Sequence, residues 1–402
     1  MRFNRGPAVG LTALLAGALA LSGCGSDDGE SDGGTTGGGD VPEIDATAFT
    51  ADFSEMEKLT DIAAQGDGLI QVLLPDTTTS TRYVQYDAPY LQQAFEAAGL
   101  SSDQFKIDNA QGSVQQMQTQ ADAAIASGAS VLLVDPIDQG SGAAIEQKAV
   151  DAGLAVIDYD RLVTGGPENR YYVSFNNVEV GEKIGDGMVE CIDAWGVSDP
   201  NVLVMAGDPS DNNAKLFKEG YMSVLQPKFD DGSYVNAGEP AGTWTPSEAQ
   251  TTFEQQYTAN SSINAVVTPN DDNANAVIAV LKKNNIGPET FPTTGQDASL
   301  PGLQNILTGY QCGTVYKPIY LEAQAAAALA IMLRAGVEPP ATLVNDVTAD
   351  DALGVDIPSV YTTPIWVTSE NMADTVVADE AVTTADLCAG AVADACAEAG
   401  IQ

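Results

Sequence analysis

The sequence predicts an α/β protein built as two consecutive doubly wound lobes with parallel sheets. Three observations carry this expectation. From Gly68 onward, short runs rich in Val, Ile and Leu alternate with amphipathic stretches of helical length, the pattern of parallel strands flanked by helices. The runs are apolar throughout, which suits strands covered on both faces. The alternation restarts after Tyr171–Phe175, and one sheet holding every strand would be unusually wide. A closed barrel is the topological rival, but the restart reads as a crossover into a second lobe.

The first strand spans 69–74 and stops at Pro75-Asp76. A helix over 90–98 follows, then a short strand over 105–108. The spacing predicts a helix over 115–127 and a strand over 131–134, which Asp135-Pro136 terminates, since proline cannot continue a ladder. A helix over 142–152 and a strand over 155–158 complete the first series. The second series is helix 180–194, strand 202–206, helix 213–225, strand 234–237 and helix 246–259. It continues through strand 265–268, helix 274–284, a strand near 292–295 and helix 301–307.

Composition narrows the function. The 402 residues include 16 Lys+Arg, 56 Asp+Glu and no histidine, for a formal net charge of −40. Nucleic acid and anionic membrane surfaces are disfavoured, because both are bound through clustered Lys and Arg. The missing histidine removes Ser-His and Cys-His nucleophiles, histidine-ligated metals and the usual near-neutral proton shuttle. Carboxylate-only chemistry, such as glycoside hydrolysis, survives. No cofactor or metal is expected. Asp208, Asp211 and the run Asp271-Asp272-Asn273 lack the twelve-residue calcium loop, and the glycine-rich loops lack nucleotide-binding spacing.

The N-terminus sets the compartment. Arg2 and Arg5 precede an apolar run over 8–21, too short to span a bilayer and laid out as an export signal. The run ends in Leu21-Ser22-Gly23-Cys24, which resembles a bacterial lipobox. Residues 1–23 are therefore a lipoprotein signal peptide, and Cys24 the lipidated residue that anchors the chain to the outer face of the cytoplasmic membrane. Residues 24–65 form a flexible tether and N-terminal extension, the stretch 25–40 holding only Gly, Ser, Thr, Asp and Glu, a solvated composition. Four cysteines remain, an even count in an exported chain. Cys388 and Cys396 are close enough in sequence to staple the C-terminal tail, which leaves Cys191 with Cys312. Four free buried thiols are the alternative.

In open α/β sheets, ligands sit outside the carboxyl ends of the strands. Polar residues gather there in this sequence: Asp76, Asp135, Asp158, Asp160, Arg161, Asp208, Asn270, Asp271 and Asp297. Several of the surrounding runs resemble the periplasmic xylose-binding proteins, the pentose- and related monosaccharide-binding components of bacterial ABC importers. They are Val156-Ile-Asp-Tyr-Asp-Arg161, Tyr172-Val-Ser-Phe-Asn-Asn177, Asp208-Pro-Ser-Asp-Asn-Asn-Ala-Lys-Leu-Phe217, Pro269-Asn-Asp271, Thr294-Gly-Gln-Asp297 and Thr314-Val-Tyr-Lys-Pro-Ile319. The resemblance covers roughly 68–370 in a consistent order.

It implies a type I periplasmic-binding fold, two Rossmann-like lobes joined by three crossovers. The first lobe would comprise 66–175 with 316–342, and the second 176–315 with 343–402. It implies sugar contacts by Asp160, Arg161, Asn213, Lys215, Asn270, Asp271, Asp297 and Lys317, with Trp244 stacking on the sugar face. Arg82-Tyr83 stands where the family shows Arg-Trp, and the threonine-rich loop 76–80 also departs from the family. Gln111 is a further candidate in the first lobe.

A monosaccharide needs hydroxyl acceptors, charged donors and an aromatic plate, and these residue types supply them. The expected protein is a monomeric, tethered receptor that hands a pentose or related aldose to a permease and its ATPase. A ligand protein for a chemoreceptor or kinase is the alternative, and a carboxylate glycosidase is a weaker one. No enzyme activity is expected.

Overall fold

The computed structural model describes residues 42–401. The leader, Cys24 and the 25–40 tether lie outside the described residues. The first series comprises α1 (Thr60–Ala63), β1 (Leu69–Leu74), α2 (Ala88–Ala97), β2 (Phe105–Asn109), α3 (Val114–Ala126), β3 (Ala129–Val134), α4 (Gln139–Asp151), β4 (Ala155–Tyr159) and β5 (Tyr171–Phe175). The second comprises α5 (Asn177–Ala194), β6 (Asn201–Val204), α6 (Asn212–Asp230), β7 (Val235–Gly238), α7 (Pro246–Ala259), β8 (Ala265–Val267), α8 (Asp271–Lys283), α9 (Leu300–Leu307) and β9 (Thr314–Tyr316). After these come α10 (Ile319–Arg334), β10 (Asp346–Asp350), β11 (Val355–Thr362), β12 (Ile365–Val367), α11 (Thr384–Leu387) and α12 (Ala393–Glu398).

Polar residues that end strands also start helices. The Asp138 carboxylate accepts the Ser141 amide at 2.8 Å, Asp211 accepts the Asn213 amide at 2.9 Å, and Asn270 accepts the Asn273 amide at 3.0 Å. Each satisfies a donor that the first helical turn leaves free. One short polar loop thus stops a strand, caps a helix and stands at the sheet edge where a ligand would sit.

The first sheet has seven strands in the order β10-β11-β5-β4-β3-β1-β2, parallel except for the β10–β11 hairpin. The second lobe holds the parallel trio β7-β6-β8, which isolated bridges at Val266–Thr293 and Gln296–Val315 extend towards β9. The predicted strand near 292–295 is therefore only a bridge. In both lobes the order reverses beside the first strand of the series, the switch point where open α/β sheets bind ligands.

Two assignments made from the sequence need correction. Residues 343–402 do not all belong to the second lobe. β11 pairs with β5 in parallel, Ser359 opposite Tyr172 and Thr362 opposite Phe175. The hairpin escapes a search for apolar runs because β10 is largely exposed and alternates polar with apolar side chains. Nor does the N-terminal extension over 42–65 stand outside the first lobe: Ile44, Phe49, Phe53, Met56 and Leu59 are buried in that lobe's core beside α10. Thr342 donates to the Ile44 carbonyl at 2.6 Å and Gln324 to that of Thr50 at 2.9 Å. α10 is Ala-rich and buried on nearly every face, as a helix enclosed between layers must be.

The chain passes between lobes three times: from β5 into α5, from β9 into α10 and from β11 into β12. α5 and α6 cross so closely that a Cβ on Gly181 would collide with the Phe217 carbonyl, and one on Gly220 with that of Val178. Cys191 is disulfide-bonded to Cys312, tying α5 to the turn before β9, and Cys388 is bonded to Cys396 in the tail. That tail packs Met372, Val376, Leu387 and Ile401 against Leu303 and Ile306 of α9.

Candidate functional site

Loops from both lobes meet at a small cavity lined by Ser80, Arg82, Tyr83, Asp160, Arg161, Asp211, Asn213, Phe217, Trp244, Asn270, Gln296, Asp297 and Lys317. Nine residues expected from the sequence are brought together here: Arg82, Tyr83, Asp160, Arg161, Asn213, Trp244, Asn270, Asp297 and Lys317.

The two carboxylates nearest Lys317 sit on strained backbone. Asp160 has φ 59° and Asp297 φ 88°, left-handed values that residues other than glycine adopt rarely. At Asp160 the surroundings hold the strain in place: Tyr172, Ser174 and Asn213 all donate to its carbonyl, at 2.9, 2.8 and 2.8 Å. Asn213 does so from the other lobe. Strain kept at two facing loops is a common mark of a working site.

The cations are held in pairs with acids. Arg82 bridges Asp87 at 2.6 Å, Asp160 at 2.8 Å and Glu322 at 2.8 Å. The Arg161 Nε lies 3.1 Å from Asp211 in the second lobe and 3.6 Å from Asp135 in the first. Lys317, on the second crossover, has Asp297 at 3.2 Å and Asp160 at 3.9 Å. Burial alone would raise the Asp160 carboxyl, but Arg82, Lys317 and Arg161 outweigh it and hold the group below the usual carboxylate range. Burial pushes Asp135 well up, against Arg161 and with Asp160 adding repulsion. Burial likewise raises Asp211, and lifts Glu322 to about 8 against the attraction of Arg82. Charge is therefore concentrated on Asp160, while the acids behind it are pushed towards the neutral form.

One acceptor remains free at the cavity wall: the buried Gln296 Oε1 makes no hydrogen bond, whereas Asp297 Oδ1 is ion-paired with Lys317 at 3.2 Å. A buried unpaired acceptor is costly, so a ligand that donates here recovers what folding leaves unmet. The cavity lining also includes an aromatic corner. Trp244 meets Phe217 edge-on at 6.5 Å, and its indole N–H donates to Asp211 at 3.0 Å. A Cβ on Gly207 would strike the indole, so only glycine lets the ring lie there. Tyr83 is buried, with the Arg82 and Arg161 guanidinium groups over its ring at 5.5 and 5.7 Å from its centre, and its hydroxyl donates to Asp160 at 3.2 Å.

Two expected contacts are not brought to the cavity. Lys215 is exposed, because the inner face of α6 carries Asn213 and Phe217, one turn apart. Asp271 is buried within the second lobe, where Gln311 at 2.7 Å, Thr314 at 2.8 Å and the Ser299 amide at 2.7 Å occupy its oxygens. Gln111 is exposed in the turn after β2. Ser80, Asp211, Phe217 and Gln296 were not foreseen as contacts. Phe217 had a signal in its four-residue spacing from Asn213. Asp211 stands out in the sequence only as an acid that lacks calcium-loop spacing. Gln296 reaches the cavity through the bend at Asp297, which periodicity does not reveal, and Ser80 carried no signal.

Known proteins share this architecture. A family model described as a periplasmic binding protein domain matches residues 71–338. The D-xylose-binding periplasmic protein of Escherichia coli is 36% identical over 275 residues, covering 68% of this chain and 80% of its own. The multiple sugar-binding periplasmic protein SbpA of Azospirillum brasilense is 30% identical, covering 78% and 89%. Among solved structures, a carbohydrate transporter solute binding protein of Chloroflexus aurantiacus in complex with D-glucose aligns with a TM-score of 0.71 and 27% identity, over 80% of this chain and 98% of that one. With two lobes, three crossovers, strained loops facing a shared cavity and a family match over most of its length, this chain belongs to the periplasmic binding proteins of the type I fold.

Proposed function

We propose that the protein is the membrane-tethered receptor of an ABC sugar importer, which binds one neutral aldose between its lobes and presents it to a permease. The carrying observation is a single cavity whose lining includes the unpartnered acceptor Gln296 Oε1, the ion-paired Asp160, Asp297 and Lys317, and the Trp244–Phe217 aromatic corner. A sugar hydroxyl donates to such acceptors, and its C–H face lies on aromatic carbon. Each pocket cation already faces a carboxylate, so a uronic acid or sugar phosphate would meet acids without a spare cation. The xylose-binding relative and the glucose-bound neighbour support an unsubstituted pentose or hexose, with xylose or a close relative favoured. Asp160, Arg161, Asn213, Trp244, Asn270, Asp297 and Lys317 are the proposed contacts. Cys24 carries the proposed anchor. Calorimetric titration with D-xylose, L-arabinose, D-ribose, D-glucose and D-galactose tests the reading: saturable binding without turnover is expected, and no heat with any of them would sink it.

A further inference from the structure

Three residues outside the cavity meet in the second lobe where the crossovers converge. Trp366 of β12 lies against both Gly187 of α5 and Gly313 of the turn before β9, and a Cβ on either glycine would strike its indole. The indole N–H is buried without a partner, so shape and not a hydrogen bond keeps the ring there. The Cys191–Cys312 disulfide joins the same two segments: Cys191 is one turn beyond Gly187 on α5, and Cys312 directly precedes Gly313. α5 follows the first crossover, β9 leads into the second and β12 follows the third.

β9 has only three residues, and isolated bridges are what link it to the second lobe's parallel trio. It nevertheless carries part of the cavity wall. The Val315 amide donates to the Gly295 carbonyl at 3.0 Å, and the Asp297 amide to the Val315 carbonyl at 2.9 Å. Lys317 is the first residue after the strand. Asp297 and Ala298 are both left-handed, with φ 88° and 48°, a conformation that persists in residues other than glycine only where the surroundings impose it. Here β9 imposes it, and so short a strand has few bonds of its own to resist the strain. Its other edge pairs Val315 with Trp366. Its start is pinned by Cys312, which is bonded to Cys191 and donates its amide to the Thr293 carbonyl at 2.9 Å.

We propose that Cys191, Cys312 and Trp366 are positioning residues: they clamp β9 and so set the 296–299 bend and Lys317 for the sugar without touching it. None of the three lines the cavity. The proposal rests on the sugar-receptor reading. A disulfide between residues 121 apart also restricts the unfolded chain. That effect alone would change stability and leave the affinity of the folded protein as it is. The clamp adds a local consequence at the bend and a loss of affinity when it is opened.

Hydrogen exchange and calorimetry on the full chain carrying Cys191→Ala with Cys312→Ala, well below its unfolding midpoint, test the clamp. Without sugar, amides over 293–298 should exchange about tenfold faster than in wild type, while those of β6 keep their wild-type rates. Affinity for the tightest-binding aldose of the panel should fall about tenfold, the loss expected when a site is no longer preorganised. Gly313→Ala keeps the disulfide and drives its methyl group into the Trp366 indole. It should give the same two changes, so the outcome does not depend on whether the double variant folds. Wild-type exchange over 293–298 in the folded variants, or unaltered affinity in them, overturns the clamp while sugar binding stands. Failure of the wild type to bind any sugar overturns the receptor reading, and the exchange rates still decide whether β9 is clamped.

Discussion

Trp244 illustrates how much of the site one side chain can hold. Its indole closes the aromatic corner with Phe217 and orients Asp211, which in turn faces Arg161. Trp244→Ala is expected to weaken sugar binding by about 1–3 kcal/mol, and an unchanged calorimetric affinity would reduce the ring to packing. Asp160 matters to folding, because it sits between Arg82, Lys317 and the Tyr83 hydroxyl. Asp160→Ala should cost about 3–5 kcal/mol in urea unfolding, the usual result of removing one partner from a buried ionic cluster. Glu322 titrates in the opposite sense. Its folded value of about 8 lies above that of the unfolded chain. Its contribution to stability is complete below the unfolded value near 4.5 and disappears as pH rises through 8. Unfolding midpoints between pH 5 and 9 should therefore fall more steeply for wild type than for Glu322→Gln. The sequence reveals such residues only as charged groups at strand ends. It does not show that the Arg161 guanidinium lies over the Tyr83 ring, because Arg161 is far from Tyr83 along the chain and the two meet only in the fold.

At the scale of elements, legibility follows how each segment is buried. β1, β3 and β4 are covered on both faces, so unbroken apolar runs announce them. β10 has one wet face and a mixed composition, so the hairpin that widens the first sheet carries no such mark. The segment 42–65 misleads for a related reason. Its buried residues are spaced through polar sequence and find their partners on α10, far along the chain. The crossing of α5 and α6 is equally silent in sequence, since glycines within helices ordinarily read as weak points. Here they are the condition of approach. Gly220→Ala should destabilise the protein by about 1–3 kcal/mol through overpacking, read as a lower denaturation midpoint. Equal or greater stability would show that the helices can move apart freely.

The whole molecule joins an acidic chain to a cavity in which charge is largely balanced. Few of the 56 acids line the cavity, where Asp160, Asp211 and Asp297 each have a cation within reach. The reading of strand-end loops anticipated Asp160, Arg161, Asn270 and Asp297 in the cavity wall, because a doubly wound sheet sends every such loop to one edge; Asn213, Trp244 and Lys317 came only through the family resemblance. It could not rank those loops. Whether Asn213 or Lys215 faces inward depends on the rotation of one helix, and that is set by the glycine contact with α5. At this scale the lipid anchor is also open to test: Cys24→Ala should move the protein from the membrane fraction to the soluble exported fraction, and continued membrane association would refute the anchor.

The three crossovers are stitched to one another. β5 and β11, which lead into the first and third, lie side by side with Phe175 opposite Thr362. β12 and β9, on the far side, pair Ile365 with Tyr316 beside the second. Neighbouring crossovers thus emerge from shared ladders, like the leaves of a flat spring. Such a joint bends about one axis and resists twisting or sliding. Any ligand that closes the cleft moves the outer faces of the lobes along the same path, so a membrane partner would meet one closed outline whichever sugar lies inside.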